Sequence, residues 1–207
     1  TCHGRWRAIS LSMSCTELEA YIKEKESEKR FLHSMSCGET VQKLLDRFPD
    51  PRAADPQSGL YIGMMHDIAR EWPDGELLAY VRKNSIDTEP EEIAEPKLLH
   101  APVAAHFART LIPEFPSSWS LAVRWHTLGS PRMGRIGAVL YVADYLEPRR
   151  THLTGQRRQE LLAFDSLERM VLSILDEQEA YFDDRGIAEA HVTRSLKQYL
   201  KVGGAFR

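Results

Sequence analysis

Cysteine is scarce: Cys2, Cys15 and Cys37 are the only three in 207 residues. They are odd in number, widely spaced and never arranged as CxxC, which excludes a disulfide framework and a zinc knuckle. Net charge is small as well, at −3, so no global basic field recruits nucleic acid or an anionic membrane. Long apolar runs are missing. The longest candidate, Ile136 to Ala143, is closed by Arg135 and Asp144, far short of the ~20 residues that a membrane helix needs. Thr1 to Ser12 has basic residues but no apolar stretch of signal-peptide length. There is no GxxxxGK(S/T) phosphate loop and no Cys or Ser in a credible nucleophilic triad. These absences read as a reducing cytoplasm, with neither a nucleic-acid nor a membrane partner.

What is present suits a globular chain. Hydrophobic residues make up 43% and charged residues 28%, enough for one domain to bury a core without disulfide or metal support. Met13-Ser14 directly precedes the first helical pattern. Residues 1–12 are therefore read as an upstream extension or a disordered N-terminus, and residues 13–207 as a single domain.

The pattern is helical almost throughout. Thr16 to Lys29 is a polar, solvated helix with Glu19–Lys23 and Glu26–Arg30 at i,i+4 spacing. His33, Cys37, Val41, Leu44 and Phe48 then form one stripe of 3.6-residue period. Gly59 to Arg70 reads as an apolar helix and Asp74 to Lys83 as a short amphipathic one. Asn84 to Lys97, punctuated by Pro90 and Pro96, reads as a loop. Helices follow over His100 to Leu111, from a cap at Ser117 or Ser118 through His126, over Met133 to Leu146, Leu161 to Phe182 and Glu189 to Leu200. With no β-alternation and no internal repeat, the expectation is an all-α domain of about eight helices.

The informative feature is a set of polar residues where apolar ones belong. His33 heads its stripe, His66 shares a face with Gly59, Ile62 and Gly63, and His126 follows Ala122 and Val123. Asp144 shares a face with Gly137, Leu140 and Tyr141. A buried carboxylate without a partner costs several kcal/mol, on the order of a domain's whole stability. Asp67 and Asp144 therefore need a cation, and histidines are the other natural ligands of such a cation. Consecutive residues on a helix point ~100° apart, so one ion at a helix end can take both His66 and Asp67. Each residue alone has a bland alternative: a satisfied core histidine, an arginine partner for Asp144, a capping role for Asp67. The joint series His33, His66-Asp67, His100, His126, Asp144 on successive helices favours a site, whereas His3, His106, His152 and His191 are read as structural.

This series resembles that of the HD-domain phosphohydrolases, and more closely the YqeK-type family of bacterial symmetric diadenosine tetraphosphate hydrolases. The matching segments are Arg30 to Ser34, Met64 to Arg70, Leu98 to Val103, Trp125 to Gly129, Met133 and, most specific, Tyr141 to Pro148. The resemblance spans about Thr16 to Leu200 and implies an HD-domain helical bundle. It implies His33, His66, Asp67 and Asp144 as ligands of a divalent metal, iron first, with one or two ions held. By the same resemblance His100 and His126 face the phosphates or hold the second ion, and Thr127 contacts nucleotide. Arg70 stands where the family usually has lysine, keeping the charge but changing the donor geometry. The family's Glu-Pro-x-Arg places its arginine at Arg150. A proline-containing nucleotide contact near the family's C-terminus has no counterpart in Ile187 to Thr193.

The implied chemistry is direct attack by metal-activated water on a small nucleotide. Asp67, His100, His126 and Arg150 are its catalytic candidates. Arg70, His100, His126, Thr127, Asp144 and Arg150 are the substrate contacts. Alternatives are an HD nucleotidase or phosphodiesterase on another small nucleotide, and a catalytically idle nucleotide-sensing module. A homodimer is the one protein partner kept open.

Overall fold

The computed structural model describes residues 11–151 and 153–207. The expected N-terminal extension lies outside them except for Leu11, which packs on the core, and Ser12, whose N–H donates to Glu114. Cys2, His3 and His152 also lie outside the described residues. Among the described residues there are eleven α-helices and no strand, so the all-α expectation holds and the count of eight is corrected. The helices are α1 (Cys15–Lys25), α2 (Glu28–Arg47), α3 (Ser58–His66), α4 (Asp74–Asn84), α5 (Pro90–Ala94) and α6 (His100–Leu111). They continue with α7 (Ser117–Trp125), α8 (Gly134–Leu146), α9 (Gly155–Leu162), α10 (Leu167–Asp184) and α11 (His191–Lys201).

The corrections have local causes. The polar helix expected over Thr16 to Lys29 is broken, because Glu26 turns extended and Ser27 starts α2 as its N-cap, accepting from the Arg30 N–H. Glu71 fixes that cap by accepting from both the backbone N–H and the hydroxyl of Ser27. Ser166 likewise caps α10, so the expected Leu161–Phe182 helix divides into the end of α9 and α10. In the expected loop at Asn84 to Lys97, Pro90 and Pro96 each open a short helical segment, α5 and a 3-10 turn over Pro96–Leu99. Proline at a first helical position loses no hydrogen bond. The helix α7 starts after Pro116, with no side-chain cap from Ser117 or Ser118.

The centre of the fold is the crossing of α2 over α3. A Cβ added at Gly63 would lie 2.2 Å from Gly38 Cα, and one at Gly59 would lie 2.5 Å from the Gln42 nitrogen. The two backbones thus touch where only glycine fits. The buried helix α8, with Val139, Leu140, Val142 and Ala143 all fully covered, packs on α2, α7 and α10. Cys15 and Cys37 are free thiols in this core. No helix of the described residues is long and apolar enough to cross a membrane.

Candidate metal centre and active site

The glycine crossing sets the first pair of imidazoles. His33, one turn and a half before Gly38 on α2, and His66, closing α3, bring their Nε2 atoms to 3.2 Å. A second pair forms where α6 begins and α7 ends: His100 Nε2 and His126 Nε2 are also 3.2 Å apart. All four side chains are buried. Asp67 lies between the pairs. Its Oδ2 is 3.4 Å from both His33 Nε2 and His66 Nε2, and its Oδ1 is 3.3 Å from His100 Nε2 and 3.4 Å from His126 Nε2. Asp67 reaches this place from the residue after the helix, with φ −110° and ψ 12°, not from the second of two consecutive helical positions as expected. Asp144, near the end of α8, closes the first group with Oδ1 3.1 Å from His33 Nε2 and 3.8 Å from His66 Nε2.

The other nitrogen of every ring is committed. Nδ1 of His66 is 2.5 Å from the Gly63 carbonyl, that of His100 2.6 Å from Lys97 and that of His126 2.7 Å from Val123. Nδ1 of His33 is 3.0 Å from Glu147 Oε1. Carbonyl and carboxylate oxygens accept only, so each Nδ1 carries a proton and each Nε2 is left as the position that takes a metal ion or a second proton. Metal-ligating histidines are oriented in this way. Nitrogen and oxygen donors bond a transition metal at about 2.0–2.2 Å, which places neighbouring donor atoms ~3 Å apart. The spacing and chemistry of His33, His66 and Asp144, and of His66, Asp67 and His126, therefore fit a divalent ion.

Guanidinium groups complete the charge balance. Arg30 hydrogen-bonds Asp67 Oδ2 and Arg150 hydrogen-bonds Asp144 Oδ1. Both carboxylates thus have an arginine partner, the bland alternative raised for Asp144, but no arginine hydrogen satisfies the facing Nε2 atoms. Burial pushes Asp67 up, yet the surrounding imidazoles, His66 foremost, outweigh it and hold it well below the carboxylate range. Asp144 is held far down by His33 and Arg150 against its own burial. Burial pulls His33 down, and the Asp144, Asp67 and Glu147 carboxylates more than reverse it, to about 10. A proton and a metal ion compete for that one Nε2 position. Burial lowers His100 below its ordinary value, which keeps it a neutral acceptor.

A cavity of about 310 Å³ opens on this centre, lined also by Arg70, Thr127, Tyr141, Tyr145 and Gln178. Of the residues expected at the site, His33 and His66 belong to the centre without lining the cavity, while Arg70 is on its wall and the Thr127 hydroxyl is 3.2 Å from His100 Nε2 and 3.1 Å from His126 Nε2. Arg150 is moored by its Nε to the Asp144 carbonyl at 3.0 Å rather than swinging free. Its neighbour Arg149 is exposed. Sequence reasoning assigned no role to Glu147 and Arg30, although both lie in the matched segments. His106 lies away from this centre, its Nδ1 3.0 Å from the Tyr80 hydroxyl. A larger cavity of about 870 Å³ beside α6 and α7 holds Arg124 and Arg132, but these already pair with Glu92 and Glu89.

No family model matches the chain. A curated relative from Bacillus subtilis (strain 168), named "Bis(5'-nucleosyl)-tetraphosphatase, symmetrical", is 28% identical over 164 residues, covering 78% of this chain and 84% of that protein. One of the same name from Staphylococcus aureus (strain NCTC 8325 / PS 47) is 27% identical over 139 residues, 67% of this chain and 69% of its own. A crystal structure from Clostridium acetobutylicum, described as a predicted HD superfamily hydrolase involved in NAD metabolism, matches with TM-score 0.82 and 25% identity. It covers 92% of this chain and 99% of its own. The resemblance seen in the motifs is borne out in these relatives, and with it the reading of an all-α HD-domain hydrolase.

Proposed function

We propose that the chain hydrolyses the central anhydride of diadenosine tetraphosphate, one water and one dinucleotide giving two ADP, at a divalent ion held by His33, His66, Asp67 and Asp144. The observation that carries the reading is the 3.2 Å approach of His33 Nε2 to His66 Nε2 with both Nδ1 protons committed elsewhere. Two facing lone pairs repel unless a cation lies between them, either a metal ion or the proton that the surrounding carboxylates hold on His33 in its place. The substrate belongs to the class for which the curated relatives are named, symmetrically cleaved bis(5'-nucleosyl) tetraphosphates. When bound, the ion supplies a water of lowered pKa and polarises a phosphoryl oxygen. Such a donor set accepts iron, manganese, cobalt or nickel, and iron is the ion we favour. A cytoplasmic setting and a homodimer belong to the same reading.

The chain's own residues divide the remaining work. Arg70 and Arg150 line the cavity and neutralise phosphate charge through charge-assisted hydrogen bonds. His100 and His126 present acceptors at Nε2. They suit a proton released by the attacking water, or a second ion, better than donation to a phosphate oxygen. The Thr127 hydroxyl, within reach of both rings, orients one of them and faces the nucleotide. The water oxygen bonds to an inner phosphorus, the bridging oxygen leaves with the second ADP, and the water's proton passes to an imidazole.

Product chromatography with metal-loaded protein tests this. Diadenosine tetraphosphate should yield ADP alone. An equimolar mixture of ATP and AMP overturns the reading, as does turnover confined to mononucleotides.

A further inference from the structure

The helix α10 gives the cavity a single residue, Gln178. Its amide is fixed from the opposite side. The Tyr141 hydroxyl donates to Gln178 Oε1 at 2.5 Å, and burial pushes that phenol well above its ordinary pKa, so it stays a donor. One turn further along α8 the Tyr145 hydroxyl donates to Glu177 Oε2 at 2.7 Å. Glu177 is held in turn by Arg157 Nε at 2.7 Å. Two tyrosines thus tie α10 to α8 around this side chain. With Oε1 occupied, the two hydrogens of Gln178 Nε2 remain, and no protein acceptor meets them among the described residues.

The neutral hydroxyls on the wall are engaged already, Thr127 at His100 and His126, Tyr141 at Gln178 and Tyr145 at Glu177, and the rest of the wall is charged or ligand-type. Guanidiniums and ligand-type side chains bind anions and metal, and they make no distinction between a nucleotide and a bare polyphosphate. A rigid, neutral amide does. It gains little from a phosphate oxygen already offered Arg70 and Arg150, and the Asp144 carboxylate on the same cavity opposes further negative charge at that wall. It suits a neutral acceptor, a purine ring nitrogen or a ribose oxygen. Resting on the nucleotide reading above, we propose that Gln178 is a specificity-determining residue whose amide donates to the nucleoside part of the substrate and selects nucleotides over bare polyphosphate.

Binding of ADP and of pyrophosphate to the metal-loaded chain tests it by calorimetry. Wild-type protein should prefer ADP. In Gln178→Met, of similar length but without donors, ADP should weaken about tenfold, the scale of one neutral hydrogen bond, while pyrophosphate changes less than about twofold. With diadenosine tetraphosphate, KM should rise about tenfold and kcat stay within about twofold. Equal weakening of ADP and pyrophosphate would reveal a merely structural side chain and overturn the proposal. So would a wild-type protein that shows no preference for ADP, a result that does not depend on how the variant folds. Wild-type protein that prefers ADP, with the preference lost in Gln178→Met, yet releases no ADP from the dinucleotide, sinks the reaction proposed above and supports this inference.

Discussion

His33 and Glu147, 114 residues apart in the chain, meet through Nδ1 and Oε1 at 3.0 Å. The contact fixes the tautomer and aim of a ligand-type imidazole, and Glu147 is almost wholly buried to make it. Backbone N–H of Arg149 donates to its other oxygen at 2.8 Å, so the carboxylate is held by the turn that follows α8. Partners of this kind are worth about 10–100-fold in metal affinity. Glu147→Gln should lose that much in a titration with iron(II) or manganese(II), while the circular dichroism of the metal-free protein is retained. Unchanged affinity would reduce the contact to packing.

Gly63→Ala tests the crossing that brings His33 to His66. The added Cβ would sit 2.2 Å from Gly38 Cα, a backbone atom that cannot rotate away. Overpacking of this kind costs roughly 1–3 kcal/mol or more. The thermal midpoint should fall by several degrees, and metal retention should fall with it because α2 and α3 must separate. A variant as stable as the parent, with full metal content, would contradict the crossing.

Much of the site was legible because its residues break a pattern. His33, His66 and Asp144 stand on apolar faces, and polar residues there announce themselves at any distance. Glu147 and Arg30 sit among other polar residues at helix ends, where polarity is ordinary. Their roles depend on partners 114 and 37 residues away and leave no local signal. Gly38 was invisible for a similar reason, since its value lies in the absence of a side chain facing Gly63. In the fold, α5 with five residues and α9 with eight are too short to display a helical period. The expected polar helix does bury Leu18 and Ile22, but the break between α1 and α2 hides in Lys23 to Lys29, where every residue is polar.

Glu26, itself not among the ligand-type residues, supplies a pH signature to which the nearby Asp67 and Glu71 carboxylates add. Its carboxyl accepts from the Ser34 hydroxyl at 3.1 Å, and burial pushes its pKa up from 4.5 to about 8. Between those values the folded chain holds a proton there that the unfolded chain has released. Stability from this group is therefore greatest at low pH and is lost as pH rises from about 4.5 through about 8. Glu26→Gln keeps a neutral side chain at every pH. Between pH 6 and 9 the metal-free wild type should lose at least about 2–4 °C more in Tm than the variant, the change that ~1 kcal/mol produces in a domain of this size. Parallel melting curves would show that Glu26 is ionised throughout.

The last prediction separates Arg150 from Arg149. Arg150 is half-buried on the cavity, with Nε donating to the Asp144 carbonyl at 3.0 Å, whereas Arg149 is exposed and engages Glu147 through its backbone. The mooring preorganises a guanidinium beside the carboxylate Oδ1 that faces His33 and His66. A departing ADP gains negative charge as its bond to the inner phosphorus breaks, so a contact waiting there counts most in the transition state and its loss lowers kcat. Removing one such preorganised contact costs roughly 10²–10³-fold. Arg150→Ala should lose about 10²-fold or more in kcat/KM, and Arg150→Lys should recover little, because lysine lacks the planar fork that bonds backbone carbonyl and carboxylate together. Arg149→Ala should stay within about twofold. Metal content decides between two causes: Arg150→Ala should retain its ion fully, since a competing positive charge has left Asp144. Loss of the ion together with activity would instead make Arg150 a positioning residue for the Asp144 ligand. Arg70, on the same wall, would then be the next side chain to substitute for the phosphate contact.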